Sequence, residues 1–174
     1  IRPIWTDDAL FTVKREITIG TTEGETASNL IDDTIRARKE YKGSGNPTLF
    51  TSEDVLAEML LLKDKNGIRI YKSVEELATA MRVAKIVTIP QFENLTREVA
   101  ASGTKDTFTL KAIMVNLVDY TVGADKGGAV SMFEDFDIDY NQEKYLIETR
   151  CSGALTVPKS AIVFETKATS GIGG

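Results

Sequence analysis

The hydrophobic pattern of the sequence changes near residue 107, and this change limits the folds open to the chain more than any other feature does. Before it, apolar residues recur at helical spacing in three segments. From about residue 107 onward there is no helical period of any length, and β-branched and aromatic residues are abundant. The pattern predicts an α+β fold whose helices all come from the first half of the chain.

The first half is predicted to contain four strands and three helices. The strands are expected at 9–19, 48–51, 68–71 and 85–89, and the helices at about 25–41, after a cap at 51–54 and after Ser73. Thr22 with Glu25, and Ser73 with Glu76, have the spacing of a capping box. A turn is expected at 63–67, so residues 48–90 should form a compact α/β lobe.

The second half is predicted to consist of strands joined by loops. The strands are expected at 107–119, 129–140, 144–157 and 160–165, with a flexible loop at 123–128 and a frayed tail at 167–174. The loop contains glycines and Lys126, but the lysine precedes Gly127 and leads into a strand, which is the wrong order for a phosphate-binding loop.

The composition excludes several kinds of site within this chain. The 174 residues include no histidine, which removes the commonest general base and the commonest transition-metal ligand. Cys151 is the only cysteine, so an internal disulfide and a zinc–thiolate cluster are excluded, and its strand-like surroundings favour a structural thiol over a nucleophile. No apolar run approaches the roughly 20 residues that span a bilayer.

The acidic stretch MFEDFDIDYN, residues 132–141, poses the sharpest question, because Asp135, Asp137 and Asp139 have the spacing with which calcium loops begin. Counting from Asp135, the sixth position is Tyr140 where that loop needs glycine, and the twelfth is Leu146 where it needs glutamate. The strand period of two instead places the three aspartates on one face and Phe136, Ile138 and Tyr140 on the other. We therefore expect a half-buried strand whose acidic face is solvated or faces a partner. One alternative stays open, a calcium site that uses the 134–139 carboxylates. A second and weaker alternative is a metal-dependent hydrolase built from Glu134, Asp135, Asp137 and Asp139.

The charges are unevenly distributed along the chain, whose formal net charge is -5. The outer face of the first predicted helix is basic, with Arg36, Arg38, Lys39, Glu40 and Lys42, whereas the second half holds the acidic stretch. Such faces are usually only solvated; the other interpretation is a complementary contact between copies of the chain. The overall acidity argues against a dedicated nucleic-acid-binding protein.

Residues 123–165, GADKGGAVSMFEDFDIDYNQEKYLIETRCSGALTVPKSAIVFE, closely resemble the carboxy-terminal end of major capsid proteins of tailed bacteriophages and prophages. These proteins have the fold named after phage Hong Kong 97. The resemblance continues upstream through NPTLFTSEDVLAEMLLLKDKNGIRIY and KIVTIPQFENLTRE, and weakly to IRPIWTDDALFTVKREI at the start, so it covers nearly the whole chain.

The resemblance implies a two-part subunit: a spine helix with a long-stranded peripheral sheet, and a compact axial α/β lobe. Residues 1–45 would supply a peripheral strand and the spine helix, 46–128 the axial domain, 129–166 the strands that return to the peripheral domain, and 167–174 a flexible tail. Only 24 residues precede the predicted helix, so we expect the amino-terminal arm and most of the extended loop of the family to be absent from this sequence.

The function implied is that of a structural subunit that assembles with itself into pentamers, hexamers and a genome-enclosing shell. No enzymatic activity, catalytic residue, metal or cofactor is expected. Possible further partners are scaffold, portal and decoration proteins, with packaged DNA contacted only non-specifically and no membrane. The implied location is the virion capsid, and the bacterial host cytoplasm during assembly.

Overall fold

A computed structural model describes residues 4–7, 9–22, 24–101, 104–124, 131–148 and 150–168. These residues form three α-helices and ten β-strands, which confirms the α+β class. The helices are α1 (Glu25–Ala37), α2 (Glu53–Leu60) and α3 (Val74–Ala80). The strands are β1 (Thr12–Glu16), β2 (Thr48–Thr51), β3 (Ile86–Thr88), β4 (Thr96–Ala101), β5 (Thr104–Val115), β6 (Tyr120–Ala124), β7 (Ser131–Asp137), β8 (Gln142–Glu148), β9 (Cys151–Leu155) and β10 (Ala161–Lys167).

Six strands form the main sheet, in the order β1-β10-β5-β2-β3, with β4 also paired to β5. The 12-residue strand β5 organises this sheet: β10 lies antiparallel along one edge, and β2 and β4 share the other edge in succession. β1 pairs in parallel with β10, and β3 pairs in parallel with β2. The remaining strands form two antiparallel pairs, β6 with β9 and β7 with β8.

Both faces of the main sheet are covered, so its central strands are apolar on both sides. Along β10, Ile162 and Phe164 pack with the three helices, while Ala161 and Val163 pack with Trp5 and Leu155 on the opposite face. All four of these β10 side chains are fully buried. Such continuous burial explains why this segment is a run of apolar residues and does not alternate with polar ones.

Helix α1 begins where the sequence predicts but ends about one turn early. Gly24 precedes it with φ 79°, and the carboxylate of Glu25 accepts hydrogen bonds from the backbone N–H groups of Thr21 and Thr22. These bonds lower the pKa of Glu25, the Thr22 backbone contributing most. The helix was expected to reach residue 41, but the backbone leaves the helical path after Ala37 and carries Tyr41 into the core.

The α/β lobe contains two of its predicted strands but not the third. Ser73 caps α3 as expected, because its hydroxyl accepts a hydrogen bond from the Glu76 N–H at 3.2 Å. The strand predicted at 68–71 is wrong: only an isolated bridge joins Lys63 to Arg69 there, and Ile68 is exposed. Its apolar residues imitated a buried strand, but the Asp64 turn holds them at the surface.

The second half differs from prediction in where its strands break. The segment 144–157 forms two strands, β8 and β9, which pair with different partners. Strand β4 was not predicted, because TREVAA carries little hydrophobic signal. Of the loop expected at 123–128, residues 123 and 124 belong to β6 and the others lie outside the described residues, as do residues 169–174 of the expected tail.

Candidate functional site

The β7–β8 hairpin, residues 131–148, carries a net charge equal to that of the entire chain. It contains six acidic residues and one lysine, a net charge of -5, and the formal net charge of all 174 residues is also -5. The rest of the protein is therefore balanced, and the hairpin is the dominant source of negative potential.

The strand register of the hairpin defines two faces. The Asp135 face carries Asp135 opposite Lys144, and Phe133 opposite Leu146. The Phe136 face carries Met132 opposite Ile147, together with the aromatic residues Phe136 and Tyr145. Each face therefore combines apolar side chains with charged ones.

Both faces are open to solvent. The large side chains of the hairpin are between 52% and 83% exposed, and they account for eight of the eighteen exposed large apolar residues described: Met132, Phe133, Phe136, Ile138, Tyr140, Tyr145, Leu146 and Ile147. The expectation that Phe136, Ile138 and Tyr140 line a half-buried strand is therefore wrong for the isolated chain. The alternation indicates an apolar face to be buried, and among the described residues of one copy no other element buries it. Exposed apolar clusters of this kind mark interaction surfaces.

The aspartates that suggested a calcium loop shape the hairpin turn. Oδ1 of Asp137 accepts a hydrogen bond from the Asp139 N–H at 3.1 Å, and Asn141 takes φ 50° just before β8 begins. Oδ2 of Asp137 pairs with the Lys144 ammonium group, which is the main reason that the pKa of Asp137 is lowered. Lys144 thereby offsets part of the acidic charge of the turn.

The carboxylates of the hairpin do not converge on a common point. Asp135 lies on the opposite face from Glu134, and Asp139 belongs to the turn. Across the described parts of the chain, no three acidic or cysteine side chains are grouped so that they could hold a metal ion. Within these residues the structure therefore gives no support to the calcium or hydrolase alternatives.

A buried aspartate anchors the base of the β6–β9 pair, whose two strands come directly before and after the hairpin in the chain. Asp119, 2% exposed, lies just before β6, and its carboxylate accepts hydrogen bonds from the Ser44 N–H at 2.8 Å and the Ser44 hydroxyl at 2.5 Å. The Asp119 carbonyl accepts another from the Thr156 N–H, just after β9. Burial, and next the nearby Asp119 charge, raise the pKa of Tyr41. Gly43 is required here, because a Cβ would lie 2.5 Å from both Asp119 Oδ2 and the Tyr41 hydroxyl.

A second buried acid ties together distant parts of the main sheet. The carboxylate of Glu165 on β10 accepts hydrogen bonds from Trp5 Nε1 at 2.9 Å and from Arg97 Nε and Nη2 at 2.9 and 2.6 Å. The Arg97 guanidinium also lies over the Phe108 ring, 4.9 Å from its centroid. Glu165 follows directly after the register shift between β10 and β5, so this network holds the irregular end of the sheet.

A basic surface lies at the carboxyl end of α1, next to the Asp119 site, because Tyr41 and Gly43 also line it. An open depression of about 480 Å³ is lined by Ile35, Arg38, Lys39 and Arg82, among others. Arg38 bonds to the Asn46 side chain at 2.9 Å and stacks 5.0 Å from the Tyr41 ring centroid. In the described residues no ion pair engages Lys39 or Arg82. Of the basic residues expected there, Arg38 and Lys39 line the depression, and Arg82 extends it.

Sequence patterns point to few of the residues that hold the structure together at Asp119 and Glu165. Glu165 offered one signal, since it is the only acid in the apolar strand AIVFETK. Arg97 and Ser44 offered none, because their partners are distant in sequence. Cys151 lies in a strand as expected, but it is exposed.

The fold is shared with a capsid protein. The capsid of an empty gene transfer agent particle, computed with C5 symmetry, matches with a TM-score of 0.55 and 13% sequence identity over 90% of this chain. The match covers 50% of that protein, so the chain spans about half its length. The chain therefore has a capsid-like α+β fold, as the resemblance predicted.

The other comparisons add no argument. A phage-related protein from Bordetella bronchiseptica RB50 aligns over 90% of this chain and 55% of its own length, with 13% identity and a TM-score of 0.43, too low to bear on the fold. No family model matches the sequence, and no curated protein matches it.

Proposed function

We propose that this protein is a structural subunit of a phage or prophage icosahedral capsid, assembling with copies of itself into capsomers and a shell. The observation that carries the proposal is the capsid-like fold over 90% of the chain. The exposed hairpin supports it independently, because a shell subunit must expose in isolation the surfaces that it buries against neighbours.

The proposed role requires a rigid subunit whose edges bind neighbouring copies, and it requires no catalytic group. The main sheet is buried on both faces, the Glu165 network holds its irregular end, and the Asp119 network holds the base of the β6–β9 pair. On this proposal the protein is not an enzyme, the virion capsid is its final location, and the host cytoplasm is where it assembles. The described residues contain no helix long and apolar enough to cross a membrane.

The domain division expected from the resemblance becomes part of the proposal. Helix α1 would be the spine helix, and residues 46–128 the axial domain. In the 129–166 segment, β10 lies in the main sheet between β1 and β5, which supports a return to the first part of the chain. Scaffold, portal and decoration proteins, and non-specific contact with packaged DNA, belong to this proposal as further partners.

Negative-stain electron microscopy of the purified full-length gene product that contains this sequence tests the proposal. Pentamers, hexamers or closed shells are the expected result. A product that stays monomeric at every salt and protein concentration tried would contradict it.

A further inference from the structure

We infer that the acidic tip of the β7–β8 hairpin of one copy docks into the basic depression at the carboxyl end of α1 of a second copy. This inference rests on the proposed function and specifies one contact within the assembly. It begins from an asymmetry: the hairpin holds a charge of -5, whereas the remaining chain is neutral overall. A neighbouring copy therefore offers a neutral body with a local basic surface, and not a uniformly repelling one.

The tip has free acidic groups to offer. Asp137 is already paired with Lys144, and Glu143 accepts a hydrogen bond from the Tyr145 hydroxyl at 2.6 Å. Asp135 and Asp139 have exposed side chains that enter no ion pair within the described residues. Ile138 lies between Asp137 and Asp139. It is 83% exposed and is the most exposed large apolar side chain described.

The depression presents the complementary pattern. Ile35, 40% exposed, lies in it with Arg38, Lys39 and Arg82. An apolar centre bordered by cations on one surface thus matches an apolar centre bordered by carboxylates on the other. Apolar contact would supply the affinity while the charges fix the orientation. Among the described residues of the same chain nothing covers either surface, so a second copy is the occupant that both surfaces fit.

Charge reversal on each surface tests the contact. The hairpin variant Asp135→Lys/Asp139→Lys and the patch variant Lys39→Glu/Arg82→Glu should each weaken self-association of the full-length product by roughly tenfold or more. The control Lys65→Glu/Lys72→Glu reverses two other exposed lysines and should not weaken it. Sedimentation velocity gives the dissociation constants. Association of the unmodified protein should also weaken at about 1 M salt, where the Debye length is about 3 Å.

Mixing the two defective variants provides the decisive measurement. In the mixture the reversed hairpin faces a reversed patch, and the native hairpin faces a native patch, so association should return to the unmodified level. Unchanged association of the single variants, or a mixture that fails to recover, would overturn the contact. So would an unmodified protein that remains monomeric.

The outcomes separate this inference from the proposed function. Shells that form normally from both single variants would reject the contact and leave the capsid role standing. Charge-complementing oligomers that never progress to capsomers or shells would support the contact and reject the role.

Discussion

The guanidinium group of Arg97 on β4 donates two hydrogen bonds to the carboxylate of Glu165 on β10, although the strand β5 lies between β4 and β10 in the sheet. Glu165 is 3% exposed, and its other hydrogen-bond donor among the described residues is the Trp5 indole. One buried acid therefore connects β4, β10 and the amino-terminal segment.

Replacement of Arg97 by leucine should lower the free energy of unfolding by about 3 kcal/mol, because it leaves a buried carboxylate with the indole as its remaining partner. Urea denaturation at neutral pH measures the loss. Arg15→Leu is the matched control, since the Arg15–Glu40 pair is about a quarter to a third exposed and should cost less than about 1 kcal/mol. Equal losses in the two variants would contradict a special role for Glu165.

The raised pKa of Tyr41 should make stability fall in alkaline solution. Its phenol is more easily ionised in the unfolded chain, with a pKa near 10.0, than in the folded protein. The resulting stabilisation is fully present below pH 10.0 and is lost as the pH rises through the higher folded-state pKa. Tyr41→Phe should flatten this part of the pH profile, at a cost of about 1 kcal/mol for the lost hydrogen bond to the Ser44 carbonyl.

Urea titrations at several alkaline pH values measure this effect. Tyr145→Phe is the control: the Tyr145 pKa is also raised, by the hydrogen bond to Glu143, but the side chain lies on the exposed hairpin. A Tyr41→Phe profile parallel to that of the unmodified protein would count against the assignment.

The hairpin turn should loosen in acid, because the pKa of Asp137 is lowered in the folded state. The stabilisation from its carboxylate is present above the unfolded value of 3.8 and is lost as the pH falls through the lower folded value. Amide exchange at Asp139, followed by NMR, reports the turn directly, since this N–H bonds to Asp137. In Asp137→Asn the acid dependence should disappear, whereas Asp139→Asn should retain it.

Polar substitution on the Phe136 face should prevent assembly without unfolding the subunit. Met132→Thr/Phe136→Ser removes side chains that are 56% and 52% exposed, so the melting temperature should change little while capsomers fail to form. Electron microscopy and calorimetry together measure the two effects. By contrast, Phe164→Ala removes a fully buried ring and should cost about 3–5 kcal/mol of stability. A large loss of stability in the hairpin variant would argue against an assembly role.

The sequence predicted most of the local structure, because periodicity and capping are local properties. The Ser73 cap of α3, the apolar face of α2 and the strands β2 and β3 of the α/β lobe each depend on residues that are close together in the sequence. The strand predicted at 68–71 failed because alternation around Ile68 and Ile70 is the same for a buried strand and for an exposed turn.

The candidate site was harder to predict, because it depends on whether other elements of the chain pack against the hairpin. The alternation through Phe136 was detected correctly, and one face of the strand was expected to be buried. Whether such a face is buried by the same chain or left for another one is decided by tertiary packing, which a local pattern does not contain. Pairs such as Arg97 with Glu165, or Ser44 with Asp119, are separated by 68 and 75 positions and have no local signature.

The place of β10 between β1 and β5 also determines when the main sheet can form during translation. β1 pairs with no strand other than β10 in the main sheet, and residue 12 meets residue 161 in that register. Until the last strand has been synthesised, β1 has no partner and one edge of β5 stands open. Closing so long a loop comes late and is slow. The nascent chain thus completes this sheet only after β10 has been synthesised.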